Sequence, residues 1–128
     1  MRDTDTDAVL AANLDFYQAF GTQDFAAMTR LWAQRAPVTC THPGWPALAG
    51  RAAVLESWRD ILSNPDAPSV ACHDDTAIVH GDVALVLCEE EVTGGHLVAT
   101  NVFTREDGAW RMVHHHASPL LLRGVVGL

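Results

Sequence analysis

The side chains that could perform chemistry in this sequence are mainly histidines and acids, and His42 stands out among them. It follows a short β-branched run and opens the segment His42-Pro43-Gly44-Trp45-Pro46, which must be a loop because its prolines and glycine oppose regular structure. An imidazole titrates near pH ~6.5, so it can accept a proton at neutral pH without special burial. His42 is therefore a candidate general base, and the alternative is a loop histidine bonded to a backbone carbonyl. Trp45, in the same loop, could form a wall for an apolar ligand.

A run of three histidines, His114-His115-His116, raises the question of a metal site. Alternate residues of a strand point to opposite faces, so His114 and His116 share one face and His115 takes the other. A catalytic zinc usually has three protein ligands, and two convergent histidines are too few. A metal-assisted enzyme built on His114 and His116 is thus the weakest hypothesis. We predict no metal and no cofactor, and we expect one histidine face to meet a pocket or a partner subunit.

Two further sets of reactive side chains have simpler interpretations. The run Glu89-Glu90-Glu91 alternates like the histidines, and charge at a strand end usually faces solvent and discourages pairing of sheet edges. We interpret it as a solvated edge. The cysteines form no CxxC pair and are odd in number, which predicts reduced thiols that behave as small apolar side chains, and Cys40 and Cys88 lack a convincing histidine partner in sequence. They are Cys40, Cys72 and Cys88.

Composition excludes several classes of protein. The 128 residues include 16 acidic and 8 basic side chains, for a net charge of -8, so nucleic acid would be repelled. Every basic residue is an arginine, which removes Schiff-base chemistry and lysine-dependent phosphate motifs. No stretch approaches the ~20 apolar residues of a membrane span, and residues 1–7 are acidic, unlike a signal peptide. We therefore expect a soluble, cytoplasmic protein with no nucleic-acid or membrane partner.

The first half of the chain has the spacing of three helices. Leu10, Leu14 and Tyr17 recur at helical intervals and predict a helix over about 6–20. Asp24 can cap a second helix, which ends before Pro37. The third helix covers residues 51–62, where apolar residues again recur at helical spacing until Asn64-Pro65 ends the pattern.

The second half changes to a β pattern. Four runs are separated by glycine-containing dipeptides that suit tight hairpins, at positions 81–82, 94–95 and 107–108. Together with a short strand near Val38, they predict a single α+β domain in which three N-terminal helices pack on one face of a curved, mainly antiparallel sheet. The predicted strands cover residues 69–80, 83–93, 96–105 and 109–118.

Two segments of the sequence carry a resemblance to a known superfamily. Residues 107–118, DGAWRMVHHHAS, form a closing hairpin, and residues 38–43, VTCTHP, lead to Ala49-Gly50-Arg51 and the third helix. Both resemble the nuclear transport factor 2-like superfamily and its SnoaL-like branch, and also the association domain of calcium/calmodulin-dependent protein kinase. The resemblance implies one SnoaL-like domain over residues 1–128, with a cone-shaped fold. It also implies a pocket lined by the first helix, the loop after the first strand and the inner faces of the later strands.

The resemblance also implies roles for three residues. The similar ketosteroid isomerases have their proton-shuttling base at the position of His42. Asn101 stands where they have a protonated aspartate that donates to the developing oxyanion, and an amide NH₂ can donate permanently. Tyr17 lies near their oxyanion tyrosine. We therefore expect His42, Asn101 and Tyr17 to be catalytic, and the residues expected to line the substrate pocket are Trp45, Phe103, Trp58 and His116.

Two hypotheses for the function remain open at this stage. One is a cofactor-independent enzyme of the isomerase or cyclase type that moves a proton next to a carbonyl group of a compact apolar substrate. The other is a noncatalytic domain that binds a small ligand or serves assembly. In either case we expect a homodimer, because one broad sheet face is left without helices and carries alternating apolar residues. These are Val83, Leu85, Val98 or Val102.

Overall fold

The computed structural model describes residues 4–67 and 69–121 and has the predicted order of elements. The three helices are α1 (Thr4–Gly21), α2 (Phe25–Leu31) and α3 (Arg51–Ser63). The strands are β1 (Thr39–Thr41), β2 (Leu48–Ala49), β3 (Val70–His80), β4 (Val83–Val92), β5 (Gly95–Glu106) and β6 (Ala109–Pro119). Within these residues, no helix is long and apolar enough to cross a membrane.

The strands form one six-stranded sheet in the order β2-β1-β6-β5-β4-β3. Strands β3 to β6 are an antiparallel meander, as predicted, and β1 pairs in parallel with β6. The two-residue strand β2 was not predicted; it pairs with β1 on the far side of the loop that begins at His42. The α+β class and the three-helix layer are confirmed.

Helix α1 packs on the inner face of the sheet, but its buried side differs from the predicted stripe. Leu14 is 56% exposed, whereas Asn13, Phe16 and Tyr17 are buried. A polar residue therefore occupies a core position of this helix. Helix α2 begins as predicted, because the Asp24 carboxylate accepts a hydrogen bond from an amide of the first turn.

Strand β6 contains the irregularity that matters most for the site. Phe103 of β5 pairs with Met112, whereas Val102 pairs with His114, so β6 carries one extra residue at this point. Such a bulge reverses the faces that simple alternation predicts. Met112 and His115 both face the core, and His116 lies on the outer face.

Candidate functional site

A cluster of polar side chains lies in the core between α1 and the sheet. Its members come from four elements: Tyr17 from α1, Glu90 from β4, Asn101 from β5 and His115 from β6. All four are buried. The cluster is held by hydrogen bonds among its own members and Asn13 of α1, as buried polar groups require.

Asn101 is the centre of this cluster, and it is fully buried. Its Nδ2 donates to Asn13 Oδ1 at 2.8 Å and to Tyr17 Oη at 3.2 Å. Its Oδ1 lies 2.6 Å from His115 Nδ1. Because this oxygen can only accept, the proton of the bond belongs to His115 Nδ1.

Tyr17 connects Asn101 to Glu90. Its hydroxyl donates to Glu90 Oε2 at 2.6 Å and lies 3.3 Å from the Cys88 sulfur. Burial, together with Glu90 and Cys88, raises the pKa of Tyr17 far above its ordinary value. Tyr17 therefore stays a neutral phenol.

Glu90 corrects the interpretation of the glutamate run as a solvated edge. Only 2% of its surface is exposed, because β4 alternates and Glu90 shares the inner face with Ala84, Val86 and Cys88. Burial raises the pKa of this carboxyl group, and the hydrogen bond from Tyr17 opposes part of that shift. His115 Nε2 lies 3.9 Å from Glu90 Oε2.

His42 lies beside this cluster, at the end of β1. The Ser57 hydroxyl donates to the Val54 carbonyl at 2.6 Å, so the 2.9 Å contact between His42 Nε2 and Ser57 Oγ is a bond donated by the imidazole. Its ring packs edge-on against Trp45 and Trp58, each with a centroid distance of 4.9 Å. Burial lowers the pKa of His42 to about 4, so the imidazole is neutral, with its lone pair on Nδ1, 4.0 Å from the Cys40 sulfur.

The three residues expected to be catalytic lie in one buried region, but only two of them are in direct contact. Tyr17 and Asn101 share a hydrogen bond. His42 is linked to them indirectly. The ring centroids of His42 and His115 are 6.4 Å apart, and Trp58 packs against both imidazoles.

The residues expected to bind substrate are divided between the core and the surface. Trp58 and Phe103 are buried in the core, and Trp45 covers His42 while 43% of its surface is exposed. His116 is exposed on the outer face, and its expected place on the inner face is wrong because the β6 bulge brings His115 there instead.

Sequence reasoning missed two members of the cluster, Glu90 and His115. Glu90 could have been found by extending the apolar alternation of β4 from Ala84 through Cys88. His115 could not, because alternation from Met112 points to His114 and the bulge leaves no clear mark in the sequence.

The cluster is closed in this structure, and two cavities lie away from it. One, of about 720 Å³, is bounded by α1, α2 and Arg111 and is lined mainly by polar side chains. The other, of about 420 Å³, lies where β3 begins and β4 ends, and its lining mixes polar and apolar residues. In residues 4–67 and 69–121, no three His, Cys, Asp or Glu side chains are placed to bind a metal ion.

Solved structures of similar proteins share this fold. A proposed dehydratase of the NTF2-like family from Streptomyces avermitilis is 39% identical, with a TM-score of 0.85 over 94% of this chain and 99% of that one. A proposed calcium/calmodulin-dependent protein kinase type II association domain from Thiobacillus denitrificans is 34% identical, with a TM-score of 0.78 over 88% of this chain and 94% of that one. The CaMKII hub of S. rosetta, at 21% identity and a TM-score of 0.74 over 94% of this chain and 100% of that one, shows the fold alone.

Sequence relationships agree with the structural ones. The F-box protein SKIP8 of Arabidopsis thaliana is 30% identical over 119 residues, which are 91% of this chain and 52% of the plant protein. The chain thus spans about half the length of this curated relative. Residues 9–122 match the SnoaL-like domain. The chain therefore belongs to the SnoaL-like family, within the NTF2-like superfamily.

Proposed function

We propose that this protein is a cofactor-independent enzyme that moves a proton next to the carbonyl group of a compact, largely apolar substrate. The observation that carries the proposal is the buried cluster of Tyr17, Glu90, Asn101 and His115 with His42 beside it. Acid, base and amide donors held together in an apolar core are the components of general acid–base catalysis. The likeness to a proposed dehydratase at 39% identity supports this class of reaction.

In this proposal His42 is the base. Its lowered pKa, about 4, keeps the imidazole unprotonated at neutral pH, and Ser57 fixes the ring through Nε2. Nδ1 therefore accepts the proton from the carbon next to the carbonyl group. Asn101 and Tyr17 bind the carbonyl oxygen, on which negative charge develops.

Substrate binding requires a rearrangement of the cluster. The amide of Asn101 and the hydroxyl of Tyr17 now donate to partners inside the protein, and the ring of His115 is covered by Phe16 and Trp58. A substrate must therefore part these aromatic rings and take over one or both donors. Trp45, half-exposed and packed edge-on against His42, provides the apolar entrance.

The experiment is proton exchange in deuterium oxide with a panel of uncharged cyclic and aromatic ketones, followed by NMR. We expect exchange at the α-carbon of at least one ketone. His42→Ala should lower the rate by about 10² to 10⁴, the range of a general base, and Asn101→Ala by roughly 10² to 10³, like the loss of an oxyanion donor.

The matched control is His96→Ala, which removes an exposed histidine of β5 and should leave exchange unchanged. Absence of exchange with every ketone, or exchange that His42→Ala leaves intact, would contradict the proposed function. Circular dichroism of each variant separates loss of activity from loss of fold.

An assembly domain is the second candidate, favoured by the outer sheet face. This face exposes several large apolar residues, and the association domain at 34% identity is named for assembly. We propose that two copies of the chain form a homodimer through this face. Assembly there is compatible with catalysis on the opposite face of the sheet. The free cysteines of the described residues fit the predicted cytoplasmic location. The exposed apolar residues are Ile78, Val83, Leu87 and Val98.

A further inference from the structure

The buried carboxyl group of Glu90 has a use beyond binding Tyr17. We infer that Glu90 is a protonated carboxylic acid at neutral pH and is the acid that delivers a proton to the substrate oxygen, with His115 as its positioning partner. The protonation state rests on the geometry and burial of the cluster, whereas the catalytic role rests on the proposed function.

The hydrogen bonds of the cluster have one consistent direction. His115 Nδ1 donates to Asn101, Asn101 donates to Tyr17, and Tyr17 donates to Glu90 Oε2. The proton of His115 is thus on Nδ1, and the lone pair of a neutral imidazole is on Nε2, the atom that faces Glu90 Oε2 at 3.9 Å. This separation is longer than a hydrogen bond, so a further proton on the Glu90 carboxyl group would lie near the Nε2 lone pair without being shared with it.

The charges around Glu90 determine whether its carboxyl group is protonated or ionised. Among the residues that the structure describes, the titratable groups near it are thiols, a phenol and an imidazole, none of them a permanent cation. An ionised Glu90 would therefore be a buried charge without a counter-charge from this part of the chain, which is strongly unfavourable. These groups are Tyr17 on α1, Cys40 on β1, Cys72 on β3, Cys88 on β4 and His115 on β6.

His115 does not supply the missing counter-charge. Its ring is buried among Phe16, Trp58 and His42, and this burial lowers the pKa of His115 to about 3. Burial raises the pKa of Glu90 at the same time. Both shifts favour the neutral pair, a carboxylic acid beside an imidazole, over the ion pair.

A neutral acid at this position complements the base. His42 takes the proton from the α-carbon, the electron pair of that C–H bond forms a carbon–carbon double bond, and the carbonyl oxygen takes the proton of Glu90. A neutral enol results, and Glu90 is left as a carboxylate. In the return step the enol O–H proton goes back to Glu90 while a carbon of the enol takes the proton from His42, which restores both groups.

Glu90 suits this role better than Tyr17. The pKa of Tyr17 is raised far above neutrality, whereas a carboxyl group with a raised pKa comes closer to neutral pH, where general acids work best. The same arrangement favours an uncharged substrate, because an anionic group would lie beside Glu90, where the described residues place no arginine to balance it. Arg51, the first residue of α3, does not balance such a charge, because its guanidinium donates to the backbone carbonyls of residues 29, 32 and 33.

Infrared spectroscopy of the protein without substrate tests the protonation state. A protonated carboxyl group has a C=O stretch at higher frequency than carboxylates and backbone amides. We expect this band at pH 7 in the wild type and in Glu91→Gln, which alters an exposed neighbour on the same strand, and we expect its loss in Glu90→Gln. Absence of the band from the wild type, or its survival in Glu90→Gln, would overturn the inference.

A second measurement needs no variant and separates this inference from the proposed function. Nitrogen-15 NMR of the histidines at pH 7 should show His115 protonated on Nδ1 only; a doubly protonated ring would mean an ion pair and would overturn the inference. Glu90→Gln should slow the ketone exchange by about 10² or more, and an unchanged rate would overturn the catalytic role while leaving His42 as base. A carboxylic acid band without any exchange would instead refute the proposed function and support only the protonation state.

Discussion

The buried histidines of this protein make its stability depend on pH. The pKa of His42 is lowered to about 4 and that of His115 to about 3, whereas an unfolded histidine titrates near ~6.5. Below that pH the unfolded chain binds protons that the folded protein does not. Each lowered pKa therefore contributes stability that is present above pH ~6.5 and lost as the pH falls toward 4.

The expected size of this effect at His42 is about 3 kcal/mol at pH 4, from a shift of roughly 2.5 pH units at about 1.4 kcal/mol each. Urea unfolding between pH 7 and pH 4 should show the free energy of unfolding of the wild type falling more steeply than that of His42→Gln. His96→Gln, an exposed position, should follow the wild type. Parallel curves for the wild type and His42→Gln would contradict the neutral, buried imidazole.

Asn101 is a residue of the proposed site whose hydrogen bonds also stabilise the fold. Asn101→Ala would leave Asn13, Tyr17 and His115 without their shared partner, and each unpaired buried group costs about 1–3 kcal/mol. We expect a loss of at least 2 kcal/mol, on the order of one such group, in chemical denaturation. Thr100→Ala, on the outer face of the same strand, is the control. Equal stability of the two variants would show that water replaces the amide.

At the scale of single residues, sequence alone predicts part of the candidate site. His42, Asn101 and Tyr17 were found from their places in the chain, and all three are buried in one region. Glu90 was missed because a run of three acids suggests a solvated surface, although strand alternation buries only the middle one. The place of His115 depends on a bulge, which is fixed by packing between β5 and β6 rather than by a local signal.

At the scale of elements, the local patterns predicted the helices and hairpins to within a few residues. Helical spacing, the Asp24 cap and the glycine turns act between near neighbours in the chain, so they can be recognised in the sequence. The pair β1 and β6 joins residues about 75 positions apart, and β2 has only two residues. Neither has a periodic pattern, which is why the parallel pairing and the second strand were not predicted.

Arg51 joins α3 to the end of α2. Its guanidinium donates from Nη1 to the carbonyls of Trp32 and Ala33 and from Nη2 to that of Thr29, each at 2.9 Å. Carbonyl groups at the C-terminal end of a helix lack an amide partner from a following turn. The planar guanidinium of Arg51 can bond all three carbonyls at once, whereas the ammonium group of a lysine could bond only some of them. This contact fixes α2 beside the start of α3.

Replacing this fork should therefore cost stability. Arg51→Lys keeps the charge and loses the planar geometry, and we expect a decrease of about 1–3 kcal/mol in the free energy of unfolding, as for hydrogen bonds to charged groups. Arg30→Lys, at an exposed position in α2, should change stability by less than about 0.5 kcal/mol. A negligible effect of Arg51→Lys would show that the carbonyls find water instead.

At the scale of the whole molecule, the sheet separates two different surfaces. Its inner face, covered by the helices, encloses the polar cluster around Asn101 in an apolar core. None of the described helices covers its outer face, which carries apolar side chains from three adjacent strands, among them Ile78, Leu87 and Val98. Chemistry and assembly can therefore use opposite faces of the same strands, and a partner on the outer face leaves the helical side free.

A homodimer through the outer face is the last prediction. Sedimentation or light scattering at micromolar concentration should give about twice the monomer mass of 13.9 kDa, because apolar surface of this kind is usually covered. Leu87→Lys places a charge in the middle of the face, where Leu87 is 46% exposed, and should yield monomers. Leu14→Lys changes a leucine on α1 that is 56% exposed and lies outside the proposed interface, and it should leave the dimer intact. A wild-type monomer would refute the homodimer, and dissociation by Leu14→Lys alone would place the interface on the helical side instead.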